Sequence, residues 1–596
     1  MRIANKAIFM LFIFPFYLSA QFAIDLPVIS NLYDSAIDKD GNSYYFGLYG
    51  ANNNLPFDFD PGPGEHKLPF TGTPFLASYT SSGQLRFAFT LEDLSPSHFG
   101  DLSLMPPTLA LDSASNIYIS SALTGWLDFD PGPDIHELKT TSTNYKIGYI
   151  ASYTSDGEFR YVTPLGITTN PKIYLDVSNS GNAYFTYTLR GKTDLDPSSG
   201  TFEIGEDNHH SYIIASLDPN GGLRFAYAFL TRPGSNINTG ARINLDSEEN
   251  VYLSNLLFRY IDLDPGPNLV NLGADSLDSE RFYIASYDKN GAFRFANLVC
   301  ENFNPGTLGV VYYFDVDDFG NSYIVSSTAG GVNFDLVNTF EITNYSYDLF
   351  LSSYDENGNF RFAFTIGFPD QISSNGSVAQ PFDICINEQN NIIITGAYSG
   401  LKDFDPGSQV TLIPGSEQTP GAYRTFIAEY SNNGNLVQLY GFEGPSGSSG
   451  YNVSTNIKDQ ILVSGLFGDE EIDFDLGPGI FNLNPQITGH FATVLGDFSS
   501  ASSVNEHPFS PPAISIFPNP VIESTSVKIN NTMNQWMRLT IVNPNGVVIN
   551  QLFEGISNSN ELILNWRPEK GMNSGVYFLQ CTTRKGQYLM PMTVLR

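Results

Sequence analysis

Positive charge is scarce in this sequence. Against 62 Asp and Glu there are only 29 Lys and Arg, for a net charge of −33. A surface this acidic repels phosphate backbones, which excludes nucleic acid as a partner, and it suits solubility outside the cell and divalent cations. Cysteine is also rare. Cys300, Cys385 and Cys581 occupy no equivalent positions in the repeats described below, so no disulfide framework is expected. Charged residues of both signs make up only 15 % of the chain, whereas long helices would want more Glu and Lys along with Ala and Leu. After the first twenty residues no segment reads as a membrane-spanning helix, which would need roughly 20 consecutive apolar residues.

Aromatic residues, glycine and proline are abundant: 46 Phe, 33 Tyr, 53 Gly and 36 Pro. That mixture suits many short strands joined by turns, and the apolar content argues against a disordered chain. The N-terminus carries Arg2 and Lys6, an apolar run from Ala7 to Tyr17, and Leu18-Ser19-Ala20 ahead of Gln21. The pattern is that of a cleaved signal peptide over residues 1–20, the run being too short for a spanning anchor.

The dominant signal is an internal period of roughly seventy residues. A first element, I-D-x-x-G-N-x-Y, begins as Ile37-Asp38-Lys39-Asp40-Gly41-Asn42. Its Asn recurs at 42, 116, 182, 250, 321 and 391, at spacings of 74, 66, 68, 71 and 70, and a shortened copy follows at Ile457–Ile461. A second element, D-[FL]-D-P-G, contains the pairs Asp58/Asp60, Asp128/Asp130, Asp194/Asp196, Asp262/Asp264, Asn333/Asp335, Asp403/Asp405 and Asp473/Asp475. A third, F-[IL]-A-S-Y-x-x-x-G-x-[LF]-R-F-A, starts at Phe75, Tyr149, Ile213, Tyr283, Phe350 and Phe426. The first and third elements each read as a β-hairpin with a Gly-containing turn.

Two hairpins make four strands, the content of one propeller blade. Seven copies predict an all-β fold: a seven-bladed β-propeller over residues 21–498, with the D-F-D-P-G segment between the second and third strands. The seventh copy has a third strand beginning Phe491-Ala492-Thr493 but no following R-F-A-F strand. Gln21–Leu26 reads like the missing strand, so it should pair there and close the ring, removing an exposed edge. A Ser/Pro-rich linker over 499–512 and a small C-terminal β-sandwich over 513–596 complete the expected organisation.

Placed end to end, the third and first elements resemble the bacterial β-propeller repeat abbreviated SBBP. Phe282-Tyr283-Ile284-Ala285-Ser286-Tyr287 through Gly291, and Asp317-Asp318-Phe319-Gly320-Asn321-Ser322-Tyr323, show the likeness. NHL-type propellers share the G-N-x-Y turn. Where the SBBP repeat has a plain D-F-P, this chain has D-F-D-P-G-P. The last 84 residues look like a type IX secretion C-terminal sorting domain of type A. The matching residues are Ile514-Ser515-Ile516-Phe517-Pro518-Asn519-Pro520, Val542-Asn543-Pro544-Asn545-Gly546, Gly575-Val576-Tyr577-Phe578-Leu579 and the end Thr593-Val594-Leu595-Arg596. That resemblance implies engagement of the type IX machinery through residues 513–596, passage through the outer membrane, and secretion or attachment at the cell surface.

The paired aspartates admit two readings. On an extended strand, residues i and i+2 share a face, so two carboxylates and nearby carbonyls could ligate Ca²⁺. Alternatively, Asp side chains accept backbone N–H bonds and set the turn before Pro-Gly. The recurring Arg86, Arg160, Arg224, Arg294 and Arg361 sit on the fourth strand, either paired structurally with a repeat carboxylate or forming an anion-binding rim. The seven His mark no common site, although His66 and His136 share a repeat offset, and no hydrolase elbow, zinc helix or nucleotide loop is present. The sequence therefore points to an extracellular binding or structural module for a protein or glycan. A secreted glycosidase-like hydrolase, with a pocket assembled from several blades, is the alternative.

Overall fold

The computed structural model describes residues 20–26, 31–48, 58–68, 72–95, 108–140, 145–168, 171–207, 210–230, 240–257, 261–273, 280–302, 308–367, 379–400, 402–407, 411, 413, 423–442, 447–467, 472–473, 482–483, 490–497, 514–530, 536–543, 548–556, 561–568, 572, 574–583 and 586–595. These residues are all-β, with no helix among them. They divide into two compact units, residues 1–503 and 504–596. The signal-peptide expectation, save Ala20, and the linker expectation fall outside the described residues.

In the first unit each repeat forms an antiparallel set of four strands. The first set is Asn31–Ile37, Ser43–Leu48, Pro74–Tyr79 and Leu85–Thr90. Six more follow, with first strands at Thr108–Leu111, Ile173–Val177, Arg242–Leu245, Leu308–Val316, Ala379–Ile386 and Ser449–Thr455. The fourth and fifth sets merge into one eight-stranded sheet where Glu301 and Asn302 pair with Asn333 and Val332. The first strands contact one another in sequence order, and the seventh contacts the first, so the order is closed.

The last set is completed from the other end of the chain. Ala20–Leu26 runs antiparallel to His490–Asp497, with Ile24 opposite Thr493 and Leu26 opposite Phe491. This is the pairing expected from the sequence likeness of Gln21–Leu26 to the R-F-A-F strands. Ile24 is 4 % exposed and packs in one cluster with Tyr45, Phe75, Tyr79 and Leu462, so it joins the first and seventh copies.

The repeat motifs have local causes. In the first hairpin the residue before Asn, or before Gln460 in the seventh copy, is left-handed throughout: Gly41, Gly181 and Gly320, and also Ser115, Glu249, Asn390 and Asp459. Glycine meets that φ without a Cβ clash, and the other four copies accept the cost within the same turn. Asp38 Oδ1 accepts the N–H groups of Asp40 and Asn42, while its Oδ2 accepts from Asn42 Nδ2 and the Tyr44 hydroxyl. Where the third copy has Ser178, Glu249 of the next copy supplies the carboxylate to Ser180, Asn182 and Tyr184. Where the sixth has Asn387, Glu429 accepts from Asn387 and Asn391.

The fourth-strand arginines are clips between repeats. Arg86 donates to the Tyr44 and Ser78 hydroxyls and, across to the next copy, to Asp156 at 2.9 Å. Arg160 and Arg361 make the same hydroxyl contacts but reach the backbone carbonyls of Pro219 and Asn432. Arg224 likewise reaches the Lys289 carbonyl. The expected carboxylate partner is therefore present at Arg86, and elsewhere hydroxyls and carbonyls take its place, because the neighbouring hairpin turn offers its backbone at that point.

The second unit has two antiparallel sheets. One holds Ile514–Phe517, Thr525–Asn530 and Glu561–Trp566, and the other Val548–Ile556, Trp536–Val542, Gly575–Thr583 and Gly586–Val594. Val527, Ile529 and Trp566 of the first share a buried core with Leu539, Leu579 and Cys581 of the second. Cys300, Cys385 and Cys581 all carry free thiols.

Candidate functional site

The paired aspartates lie in small loops between the second and third strands, one loop per copy. In six of the pairs the residue between them is buried: Phe59, Phe129, Leu195, Leu263, Phe334 and Phe404. The first carboxylate closes the loop. Asp58 Oδ1 accepts the N–H groups of Asp60 and His66, Asp128 those of Asp130 and His136, and Asp194 those of Asp196 and Phe202. Asp262 and Asp403 do the same with Asp264 and Val270, and with Asp405 and Thr411, and the Asn333 amide oxygen replaces the carboxylate for Asp335 and Phe340.

The second carboxylate sets the turn. Asp60, Asp130, Asp264 and Asp405 each accept the N–H two residues on, at Gly62, Gly132, Gly266 and Gly407. Asp196 accepts from Ser198, and Asp335 from Val337 and Asn338. Asp473 ends the strand Ile472–Asp473, and Asp475 lies outside the described residues. His66 and His136 stand where the loop supplies a backbone N–H to the first aspartate, a place filled by Phe202, Val270, Phe340 and Thr411 in other copies. The tyrosine of A-S-Y adds a second lock: Tyr79, Tyr153, Tyr287, Tyr354 and Tyr430 donate to the carbonyls of Phe59, Phe129, Leu263, Phe334 and Phe404.

No group of three His, Cys, Asp or Glu side chains spaced to hold a metal occurs among the described residues. Asp128→Ala would leave the Asp130 and His136 N–H groups without their acceptor and is expected to cost about 1–3 kcal/mol. Denaturant unfolding of the variant with and without Ca²⁺ measures both that loss and any cation dependence.

A second constellation gathers on the seven first strands, which sequence motifs did not mark. Four residues before each turn-opening residue stand Asp34, Thr108, Tyr174, Arg242, Tyr313, Asp383 and Asn452, and two before it stand Asp176, Asn244 and Asp315. Positions i and i+2 of a strand share a face, and unlike the repeat motifs these positions differ from copy to copy. An outermost strand has backbone N–H groups with no ladder partner, and the carboxylates satisfy them across the gap to the next copy. Asp34 accepts from Leu109 N–H, Asp176 from Leu245 N–H and Asp383 from Val453 N–H, at 2.8–2.9 Å. Asn244 donates to Asp315, and Asn452 to Asp34.

These carboxylates hold their protons unusually well. Burial, opposed by the Leu109 N–H and assisted by the nearby Asp383 charge, pushes Asp34 up to about 8. Burial likewise raises Asp176 and Asp383 to about 6, and Asp315 well above the ordinary carboxylate range. Folding thus binds protons, and the stability these groups contribute is complete below their unfolded value near 3.8 and is lost as pH rises through about 6 to 8. The thermal unfolding midpoint is expected to fall steadily over that window, and Asp34→Asn should flatten its upper part. An unfolding midpoint that rises through the same window in the unsubstituted protein would contradict the assignment.

Arg242 stands among these carboxylates. Its guanidinium carbon lies 5.1 Å from the Tyr174 ring, 5.5 Å from Tyr312 and 4.3 Å from Tyr313. The first strands carry this signal in the sequence without any repeating motif: a polar or charged residue at alternate positions of otherwise apolar segments.

Comparison with known proteins locates the second unit. Residues 515–593 match the secretion system C-terminal sorting domain family. The chain is therefore exported by type IX secretion to the cell surface or extracellular space, and this domain engages the type IX machinery. No helix among the described residues is long and apolar enough to cross a membrane. No curated protein matches the chain. Among solved structures, a member of the DUF4221 family from Bacteroides vulgatus is similar at 11 % identity and a TM-score of 0.28, over 65 % of this chain and 91 % of that one.

Proposed function

We propose that residues 21–498, between a signal peptide over 1–20 and a linker over 499–512, form a seven-bladed β-propeller of SBBP-like repeats serving as a binding module for a protein or glycan outside the cell. The closed order of contacts among the seven first strands, with Ala20–Leu26 completing the last set, supports the propeller. The binding role rests on one observation: polar residues that differ from copy to copy converge on the first strands of a frame whose other motifs repeat. A frame alone would need no such differences, whereas recognition of an asymmetric ligand does. The carboxylates there are engaged by backbone N–H groups, which fits a rigid site better than a freely titrating acid and base.

The paired aspartates, in this reading, are loop-closing acceptors, with the Oδ1 of each member directed to backbone donors of its own loop. Calorimetric titration with Ca²⁺ tests this directly, since a heat of binding with a rise in unfolding temperature would assign a cation to the loops. For the principal proposal, the full chain is presented to a glycan array and, in parallel, to a generic glycosidase screen. Saturable glycan binding without turnover supports a binding module; turnover would make the protein a hydrolase and overturn the proposal.

A further inference from the structure

We propose that Arg242 and Lys172 form an anion site on the first strands that takes a singly charged carboxylate, as carried by an acidic sugar. The inference deepens the binding-module reading and rests on it. The faces closest to the Arg242 guanidinium are aromatic, with Tyr174 from the third copy and Tyr312 and Tyr313 from the fifth within 5.5 Å of its guanidinium carbon, while Asp34 and Asp383 act on it through charge without an ion pair. Tyrosine rings attract the cation through their faces and leave the edge donors uncommitted. Its Nε is buried without a hydrogen-bond partner, and no ion pair to Arg242 occurs among the described residues. Such a donor is costly to leave unmade.

A second cation stands beside it. Gly240 packs so closely on the preceding copy that an added Cβ would lie 2.6 Å from Lys172 Cβ and 2.9 Å from the Tyr174 ring. This brings the strand of Arg242 against Lys172, and the Arg242 charge, after burial itself, helps lower the lysine's proton affinity. Lys172 too has no ion pair among the described residues. Two neighbouring cations repel each other, and an anion placed between their donors relieves that repulsion while satisfying Nε.

The surroundings select the anion. Asp34 from the first copy and Asp383 from the sixth interact electrostatically with Arg242 and with each other, and Asp315 from the fifth links Asp383 to Asp176 from the third, with Cys385 sensing both Asp383 and Asp315. A doubly charged phosphate would meet up to four carboxylates. A carboxylate carries a single charge and matches the planar guanidinium fork. The site should be most receptive when the four acids are protonated, near pH 5, and should close as they ionise, so affinity falls at least about tenfold by pH 8 to 9.

The test is calorimetric titration of the full chain with glucuronate, with glucose and inorganic phosphate as controls. Glucuronate alone should bind, and more tightly at about pH 5 than at about pH 8.5. Arg242→Gln should weaken it at least about tenfold, with Arg242→Lys retaining part, each variant first shown to keep the unsubstituted unfolding temperature and far-UV spectrum. If Arg242→Gln does not fold, Lys172→Gln is read in its place. Absence of glucuronate heat at either pH, or equal affinity in the variants, overturns the site. Glycan-array binding that survives Arg242→Gln would overturn it while leaving the binding module standing, and absence of any array ligand alongside glucuronate binding would do the reverse.

Discussion

Lys402→Met is expected to destabilise the repeat unit by about 3–5 kcal/mol, the cost of leaving one member of a buried ion pair without its partner. Lys402 Nζ lies 2.7 Å from Asp348 Oδ1, and each side chain is only 3 % exposed. Asp348 belongs to the third strand of the fifth copy, Glu341–Tyr354, and Lys402 follows the second strand of the sixth, Ile392–Tyr398. The pair therefore fastens two neighbouring copies at a point with no water to solvate a bare carboxylate. Gly367 presses on the same carboxylate, since a Cβ there would come within 2.7 Å of it, so the acid cannot swing out to solvent. Replacing both partners with apolar residues, as in Lys402→Met with Asp348→Leu, should restore most of the loss. Equilibrium unfolding in denaturant separates these outcomes: equal losses in the single and double variants would show that packing, and not charge, is at stake.

Ile24→Asp should be comparably damaging, by about 3 kcal/mol or more, because it buries a carboxylate among apolar neighbours with nothing to pair it. The position matters beyond its own contacts. Ile24 sits on the only strand of the last set that comes from the start of the chain, and it packs against Leu462 of the seventh copy and Tyr45 of the first. Releasing that strand exposes the backbone edge of His490–Asp497, whose N–H and C=O groups would then seek another strand. The variant is therefore expected to show two changes together, a lower unfolding midpoint and self-association on size-exclusion chromatography. Conservative Ile24→Val should cost about 1 kcal/mol and leave the protein monodisperse relative to the unsubstituted chain. Loss of stability without self-association would mean that the edge stays covered.

Much of this architecture is legible in the sequence. Period, hairpin turns and strand count follow from local rules: left-handed residues in tight turns, alternation along strands, aromatic residues on pleated faces. The match of Gln21–Leu26 to R-F-A-F also sufficed to pair the two ends, because strand partners in a repeat are interchangeable. The turn glycines were readable, but not their replacements. That Ser115, Glu249, Asn390 and Asp459 hold the same φ shows the hairpin imposing its geometry on residues that would not choose it.

The opposite holds for the polar residues of the first strands. Asp34, Arg242 and Asp383 are separated by some two hundred and one hundred forty residues in the chain, and no spacing rule links them. Only the closed order of first strands brings them within electrostatic reach, and only burial there turns ordinary aspartates into groups that keep their protons near neutrality. The D-[FL]-D motif lies between the two cases. Its chemistry was readable as either a cation site or a turn, and what folding added is the set of loop N–H groups, held in place by the buried Phe or Leu between the two acids, that the carboxylates accept. Composition and period by themselves pointed to the repeated β-frame, and the motifs of the last 84 residues, through their resemblance to a sorting domain, to the exported tail. Tertiary structure decided what the acids do, because a carboxylate's role depends on the donors and charges that folding carries to it from distant parts of the chain.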